Sequence, residues 1–203
     1  MALYSHNGGY PNPLPKSYLA SDGTNYTALD EMSAAKLGAL GFVAAGDLPA
    51  FDPDTHKVSW DGAGWVTSAL DAGELASVLA KKKIVKQTDL AALLKAKFAT
   101  GFSYTVPGGV AHTYQIDTPA QSDMTSIAAA FGIGDTNAHG GAWRDDSNEM
   151  VAMTDDEVKA FFKAARAYGL GMRLRYWTLK AAIEAAADQT ALDAIDINSG
   201  WPA

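Results

Sequence analysis

The side chains with the chemistry for proton transfer or metal binding are four histidines, His6, His56, His112 and His139, and several paired carboxylates. No two of the histidines stand four residues apart, the spacing that puts two imidazoles on one helix face to share a zinc ion. The chain has no cysteine, which removes a thiolate nucleophile, a disulfide framework and Cys-ligated zinc together. Gly132-Ile133-Gly134 is followed by Asp135, not by the Lys-Ser or Lys-Thr of a phosphate-cradling loop, and no Gly-x-Ser-x-Gly elbow occurs. Asp135-Thr136-Asn137-Ala138-His139-Gly140, with Asp146 in the twelfth place, imitates the first half of a calcium loop. Its fifth position is His and its closing residue is Asp where a bidentate Glu is needed, so a solvated loop is expected. Asp145-Asp146 and Asp155-Asp156 are adjacent pairs whose carboxylates point different ways, whereas glycosidases oppose two carboxyls across about 5 to 10 Å. They read as turn and helix-cap residues, and His112 as a packed or hydrogen-bonded strand residue. Catalytic, cofactor and metal residues are all expected to be absent.

The elements that would position these groups are dominated by one long helix, expected from Thr154 to Ala187. Thr154-Asp155-Asp156-Glu157 is a capping box, in which the Thr154 hydroxyl takes the Glu157 amide and the Glu157 carboxylate reaches back. Val158, Phe161, Ala165, Tyr168, Met172, Tyr176, Leu179 and Ile183 then recur at steps of three and four, widened by Phe162, Leu174 and Trp177. This stripe must be buried, and a sheet of the same domain is the expected cover. Gly169 and Gly171 each cost up to about 1 kcal/mol in a helix, so a kink or a close backbone approach is expected. Arg166, Arg173, Arg175 and Lys180 read as a solvated face.

The 203 residues suffice for one medium domain or two small ones, and a net charge of -7 disfavours a nucleic-acid partner. No basic stretch followed by an apolar run opens the chain, and no window nears the roughly 20 apolar residues of a membrane span. Alternating Pro11, Pro13 and Pro15 after Tyr10 predict an extended arm. Ser21-Asp22-Gly23-Thr24 predicts a turn between two short strands, Ser33 caps a helix ending at Gly41, and Phe42-Val43-Ala44 is a strand. Val58 and Trp60, then Trp65 and Val66 across Asp61-Gly62-Ala63-Gly64, predict a meander with both tryptophans as its core. Residues 71–100 read as a helical linker that restarts at Thr88-Asp89, with Lys81, Lys82, Lys83 and Lys86 as a solvated face. Strands are expected over 101–105 and 112–117, and a hairpin over 143–153 with its tip at Ser147-Asn148. The fold class is α+β: an N-terminal β-rich module over 1–70 with its Pro-rich arm, the linker, and a C-terminal α+β domain over 101–203 in which short antiparallel strands pack on the long helix.

Two groups of motifs carry resemblances. Leu14-Pro15, Ser21-Asp22-Gly23, Gly41-Phe42-Val43, the run from Leu48 to Pro53, and the run from Val58 to Val66 resemble the N-terminal module of small proteins encoded beside tail-fibre genes in tailed bacteriophages. Gly101-Phe102, the run from His112 to Asp117, Trp143-Arg144-Asp145, Met153-Thr154 and the run from Leu179 to Ala186 before Leu192-Asp193-Ala194-Ile195 resemble an uncharacterised C-terminal domain of phage and prophage tail-region proteins. The Gly-rich insert from Gly132 to Gly141 departs from that pattern. The resemblance implies a non-enzymatic structural or assembly protein of the virion tail, made in the host cytoplasm. It would dock on other tail or tail-fibre proteins, or on further copies of itself, without nucleic acid or membrane. Tyr10, Pro11, Pro13, Pro15, Trp177 and Trp201 are the expected partner-binding residues. The alternatives are an assembly chaperone absent from the virion, a carbohydrate-binding module stacking sugars on Trp60, Trp65 and Trp143, and an envelope hydrolase using loops around His112, Asp117 and His139.

Overall fold

The computed structural model describes residues 2–202; Met1 and Ala203 lie outside the described residues. The fold is α+β, and the chain divides into two units, Met1–Val78 and Leu79–Ala203.

In the first unit β1 (Tyr4–His6) pairs antiparallel with β4 (Phe42–Ala44), and β2 (Ser17–Leu19) with β3 (Asn25–Thr27) across the expected turn. Between them α1 (Ala34–Ala39) starts at Ser33, whose side chain accepts from the Lys36 amide. Leu29, Leu37 and Phe42 form the core, with Tyr4, Leu14, Tyr18 and Tyr26 packed around them. The last pair is β5 (His56–Trp60) with β6 (Trp65–Ala69), Trp60 facing Trp65 edge to face at 5.3 Å. The expected meander is therefore three separate two-stranded pairs. The pairs β2–β3 and β5–β6 are each closed by a local turn, β1 and β4 pair across the intervening β2, β3 and α1, and the chain between β4 and β5, with Pro49 and Pro53, lies outside the strands.

α2 (Ala72–Ala99) is one unbroken helix. Thr88 does not restart it, because its hydroxyl donates back to the Ile84 carbonyl at 2.9 Å within the same helix. The division between the units falls inside α2, and the helix is more than a linker: Leu90 is fully buried in a core with Leu179, Ile183, Ala186 and Leu192. Nor is its basic run merely solvated. Lys83 donates to the Glu184 carbonyl at 2.9 Å and Lys86 to the Leu192 carbonyl at 2.6 Å. Glu184 stands in the last turn of α4, where no amide four residues on is available, whereas the Leu192 carbonyl at the end of α5 also accepts from the Ile195 amide at 3.3 Å and takes Lys86 as a further donor.

The rest of the second unit is built on α4 (Asp155–Ala185), opened by the expected capping box. Its buried residues, Val158, Phe161, Ala165, Met172, Leu179 and Ile183, all lie on the predicted stripe. The stripe is covered in two ways. Its first half meets β7 (Phe102–Thr105), which pairs with β8 (Ala111–Tyr114), and β9 (Ala142–Arg144), which pairs with β10 (Met150–Ala152). Its second half meets α2 and α5 (Gln189–Asp193) instead of a sheet, because the strands are too short to reach it. Gly101 opens β7 with φ +78°, and a Cβ there would lie 2.8 Å from the Tyr114 carbonyl. Gly171 marks a close approach as expected, since a Cβ would lie 3.0 Å from Pro202 of the C-terminal segment.

One helix is not announced by periodicity. The strand expected over 112–117 stops at Tyr114, and Asp117 caps α3 (Thr118–Gly132), accepting from the Ala120 amide at 3.0 Å. Its Ala-rich sequence buries Met124 and little else, so the apolar period is weak; the Asp117 cap and Pro119 in the first turn are the signals present.

If α2 is a core element, Leu90→Ala should cost roughly 2–5 kcal/mol in urea unfolding, and Ile84→Ala on the same helix less than about 0.5 kcal/mol. Lys86→Met should likewise lower the urea midpoint, while Lys81→Met leaves it in place.

Candidate functional site

The groups expected to be inert include one tight cluster. β8 carries His112, and the turn that follows β9 carries Asp145, whose side chain is only 6% exposed against 16% for His112. His112 Nδ1 donates to Asp145 Oδ2 at 2.9 Å, and Asp145 Oδ1 accepts from the Ser147 hydroxyl and from the Glu149 amide, both at 2.8 Å. The Asp146 amide then donates to the Thr113 carbonyl at 2.8 Å, joining this hairpin to β8. His112 foremost, with the Ser147 hydroxyl and the Glu149 amide, holds the Asp145 carboxyl down from 3.8 to about 2, against the opposing effect of burial. Next to it, burial and then the Asp145 charge push the Tyr114 hydroxyl up.

The order of these contacts decides what they can do. A nucleophilic triad runs hydroxyl to imidazole to carboxylate, so that the imidazole removes the hydroxyl proton. Here the hydroxyl and the imidazole both donate to the carboxylate, and Ser147 has no route through His112. His112, Asp145 and Glu149 can bring three ligand atoms within 4.8 Å of one another. A cation there would have to displace the proton that His112 shares with Asp145. The cluster works as a clasp between β8 and the 145–149 turn.

The Gly-rich insert is solvated over residues 132–137, as the loop reading expects, but it is anchored at His139. The His139 side chain is 1% exposed, and its Nε2 donates to the Met153 carbonyl at 2.8 Å. The Asn137 amide donates to Asp155 at 3.1 Å, so the insert is pinned to the start of α4, where Asp155 also suits the helix dipole. Asn137 and Gly140 adopt positive φ to make that turn. The calcium-like spacing is broken by β9, which lies between Gly140 and Asp146. Of the other histidines, His6 packs on Phe42 at 4.5 Å and His56 meets the Thr55 hydroxyl at 2.9 Å.

The expected partner-binding residues fall into two classes. Tyr10 is 64% exposed with its ring edge-on to Trp65, Pro13 and Pro15 are exposed, and Trp177 is 54% exposed. Pro11 is buried, and Trp201 is half-buried on the Leu90 core with its indole N–H donating to the Ile197 carbonyl at 2.8 Å. Both serve the chain's own packing. Trp143 is half-buried, packed edge-on to Phe162 at 5.1 Å.

A groove in the second unit was not foreseen. It has a volume of about 470 Å³ and runs between α3 and α4, floored by Met124, Ala128, Ala165 and Gly169 and closed by Phe98 and Ile116. Arg166 and Arg173 stand on its rim, two turns apart on α4. It escaped sequence reasoning because half of its wall is the unforeseen α3.

A family described as Domain of unknown function (DUF4376) matches residues 80–198, which is more than half of the chain. No curated protein and no solved structure matches.

Because the Asp145 carboxyl is held near 2 when folded, against 3.8 ordinarily, its contribution to stability is complete above the unfolded value and is lost as pH falls through the folded one. Asp145→Asn should therefore lower the urea midpoint at neutral pH. The gap between the two proteins should narrow as pH falls from about 4 to about 2.

Proposed function

The chain belongs to the DUF4376 family, and on that premise we propose that it is a non-enzymatic structural or assembly protein of a bacteriophage tail. It acts at the tail fibre or tail tip by docking on other tail proteins, with further copies of the chain as a second class of partner. The resemblances of its two halves to tail-region modules support the location. The observation that carries the mode of action is the direction in which the side chains are used. Asp145 and His139 are engaged inside the fold, whereas three large apolar groups of α4 face outward. Asp145 accepts from three donors, and His139 holds Met153. Leu170, Leu174 and Trp177, by contrast, are each about half exposed on one face of α4.

The charge of -7 and the use of Lys83 and Lys86 inside the fold weigh against a nucleic-acid backbone as partner. Among the described residues no helix is long and apolar enough to cross a membrane. The protein would be made in the host cytoplasm and carried in the virion.

Mass spectrometry of purified particles tests this reading, and the chain is expected there at a fixed copy number. Finding it only with unassembled fibre would make it a chaperone instead. A second experiment addresses chemistry: His112→Asn, which keeps a donor to Asp145, should leave infectivity unchanged. Loss of infectivity in particles that still incorporate a folded His112→Asn chain would point to an enzyme.

A further inference from the structure

The groove between α3 and α4 has features that a packing defect would not share. Between the larger Met124 and Phe162, its two helical walls face each other with small side chains, Thr125 and Ala128 on one side, Ala165 and Gly169 on the other. Small side chains on two neighbouring helices leave a channel into which the ridge of a third helix fits. Leu170 lies on its edge, and Leu174 and Trp177 continue the same face of α4 beyond it, all exposed. The rim is cationic although the chain is acidic. Arg166 and Arg173 have no ion pair or side-chain hydrogen bond among the described residues, in a chain with 23 acidic side chains.

We propose that this groove is the docking site for an amphipathic helix of a partner protein, with two carboxylates seven residues apart that meet Arg166 and Arg173 and apolar side chains between them that fill the channel. The inference rests on the docking function proposed above and names the surface and the chemistry of the partner. The spacing selects the occupant. Arg166 and Arg173 are seven residues apart, about 10 Å along α4, so a single carboxylate meets both only if both side chains bend to one point, whereas two carboxylates at that interval meet each one where it stands. A helix lying alongside presents two carboxylates at that same interval, with the residues between them on the same face. A second copy of this chain does not fit: none of α1 to α5 carries two carboxylates seven residues apart.

The test uses the full chain and two labelled synthetic peptides of about 18 residues, long enough to form a helix, in fluorescence anisotropy. Both carry Leu on the groove-facing positions; one has Glu, the other Lys, at the two sites seven residues apart. The Glu peptide should bind roughly tenfold more tightly than the Lys peptide. The double variant Arg166→Glu/Arg173→Glu should reverse that preference, and Arg166→Lys/Arg173→Lys should retain it. Leu174→Ser/Trp177→Ser should weaken both peptides. These side chains are exposed, so each variant should keep the wild-type urea midpoint. Equal affinities, no binding of either peptide, or indifference to the arginine reversal would overturn the proposal. So would displacement of the Glu peptide by dodecanoate at stoichiometric amounts, which would assign the groove to a single-headed amphiphile. A chain present in particles that binds neither peptide would lose this surface but keep the proposed function. A chain that binds the Glu peptide but is missing from particles would keep the surface and lose the location.

Discussion

Phe161 is the point at which the second unit is tied together. Fully buried on α4, its ring lies 4.6 Å from Tyr114, 5.3 Å from Tyr104, 6.0 Å from Trp143 and 6.2 Å from Phe102. Those four rings come from β7, β8 and β9, strands of three or four residues that cannot hold a sheet by backbone pairing alone. Hanging them on one aromatic side chain of a long helix supplies what the short ladders lack. A two-stranded pair is marginal in water, and here each pair gains a hydrophobic face only by meeting α4.

Once the strands are short, most polar groups of the unit lie near element ends, and the structure closes those ends on one another. The capping box starts α4, Asn137 and His139 brace that start from the insert, and Lys83 and Lys86 reach carbonyls at the ends of α4 and α5. Arg175 donates twice to the Ser199 carbonyl and so fastens the C-terminal segment to α4. His112, Ser147 and Asp145 do the same for the hairpin of β9 and β10. Asp145, His139, Lys83 and Lys86 are committed to contacts within the unit, whereas Leu170, Leu174 and Trp177 face outward on α4. The docking function proposed for the chain follows from that division of labour.

Much of the architecture was legible because it is local. Thr154 and Glu157 mark the start of α4 by a contact three residues long, Asp22-Gly23 marks a hairpin, and Ser33 marks α1. Elements whose signals are weak or whose roles are distant were harder. α3 is rich in alanine, and alanine serves a buried and an exposed face equally, so no stripe emerges. Thr88 has the look of a cap, yet its hydroxyl turns back to Ile84 inside a helix that tertiary contacts at Leu90 hold together. Lys83 and Lys86 look like any solvated face until the helix ends about a hundred residues later are folded back beside them.

By itself, then, the sequence determined the α+β class, the long amphipathic helix with its cap, and most turns, because these depend on period and on hydrogen bonds between near neighbours. Only the tertiary structure decided that Asp145 is the acceptor at the centre of a clasp, that Trp201 packs inward while Trp177 stays out, and that α3 and α4 leave a groove with Arg166 and Arg173 on its rim. Each of these rests on residues brought together from far along the chain, and pairing at that range is set by how whole elements pack, which no local pattern of residue types encodes.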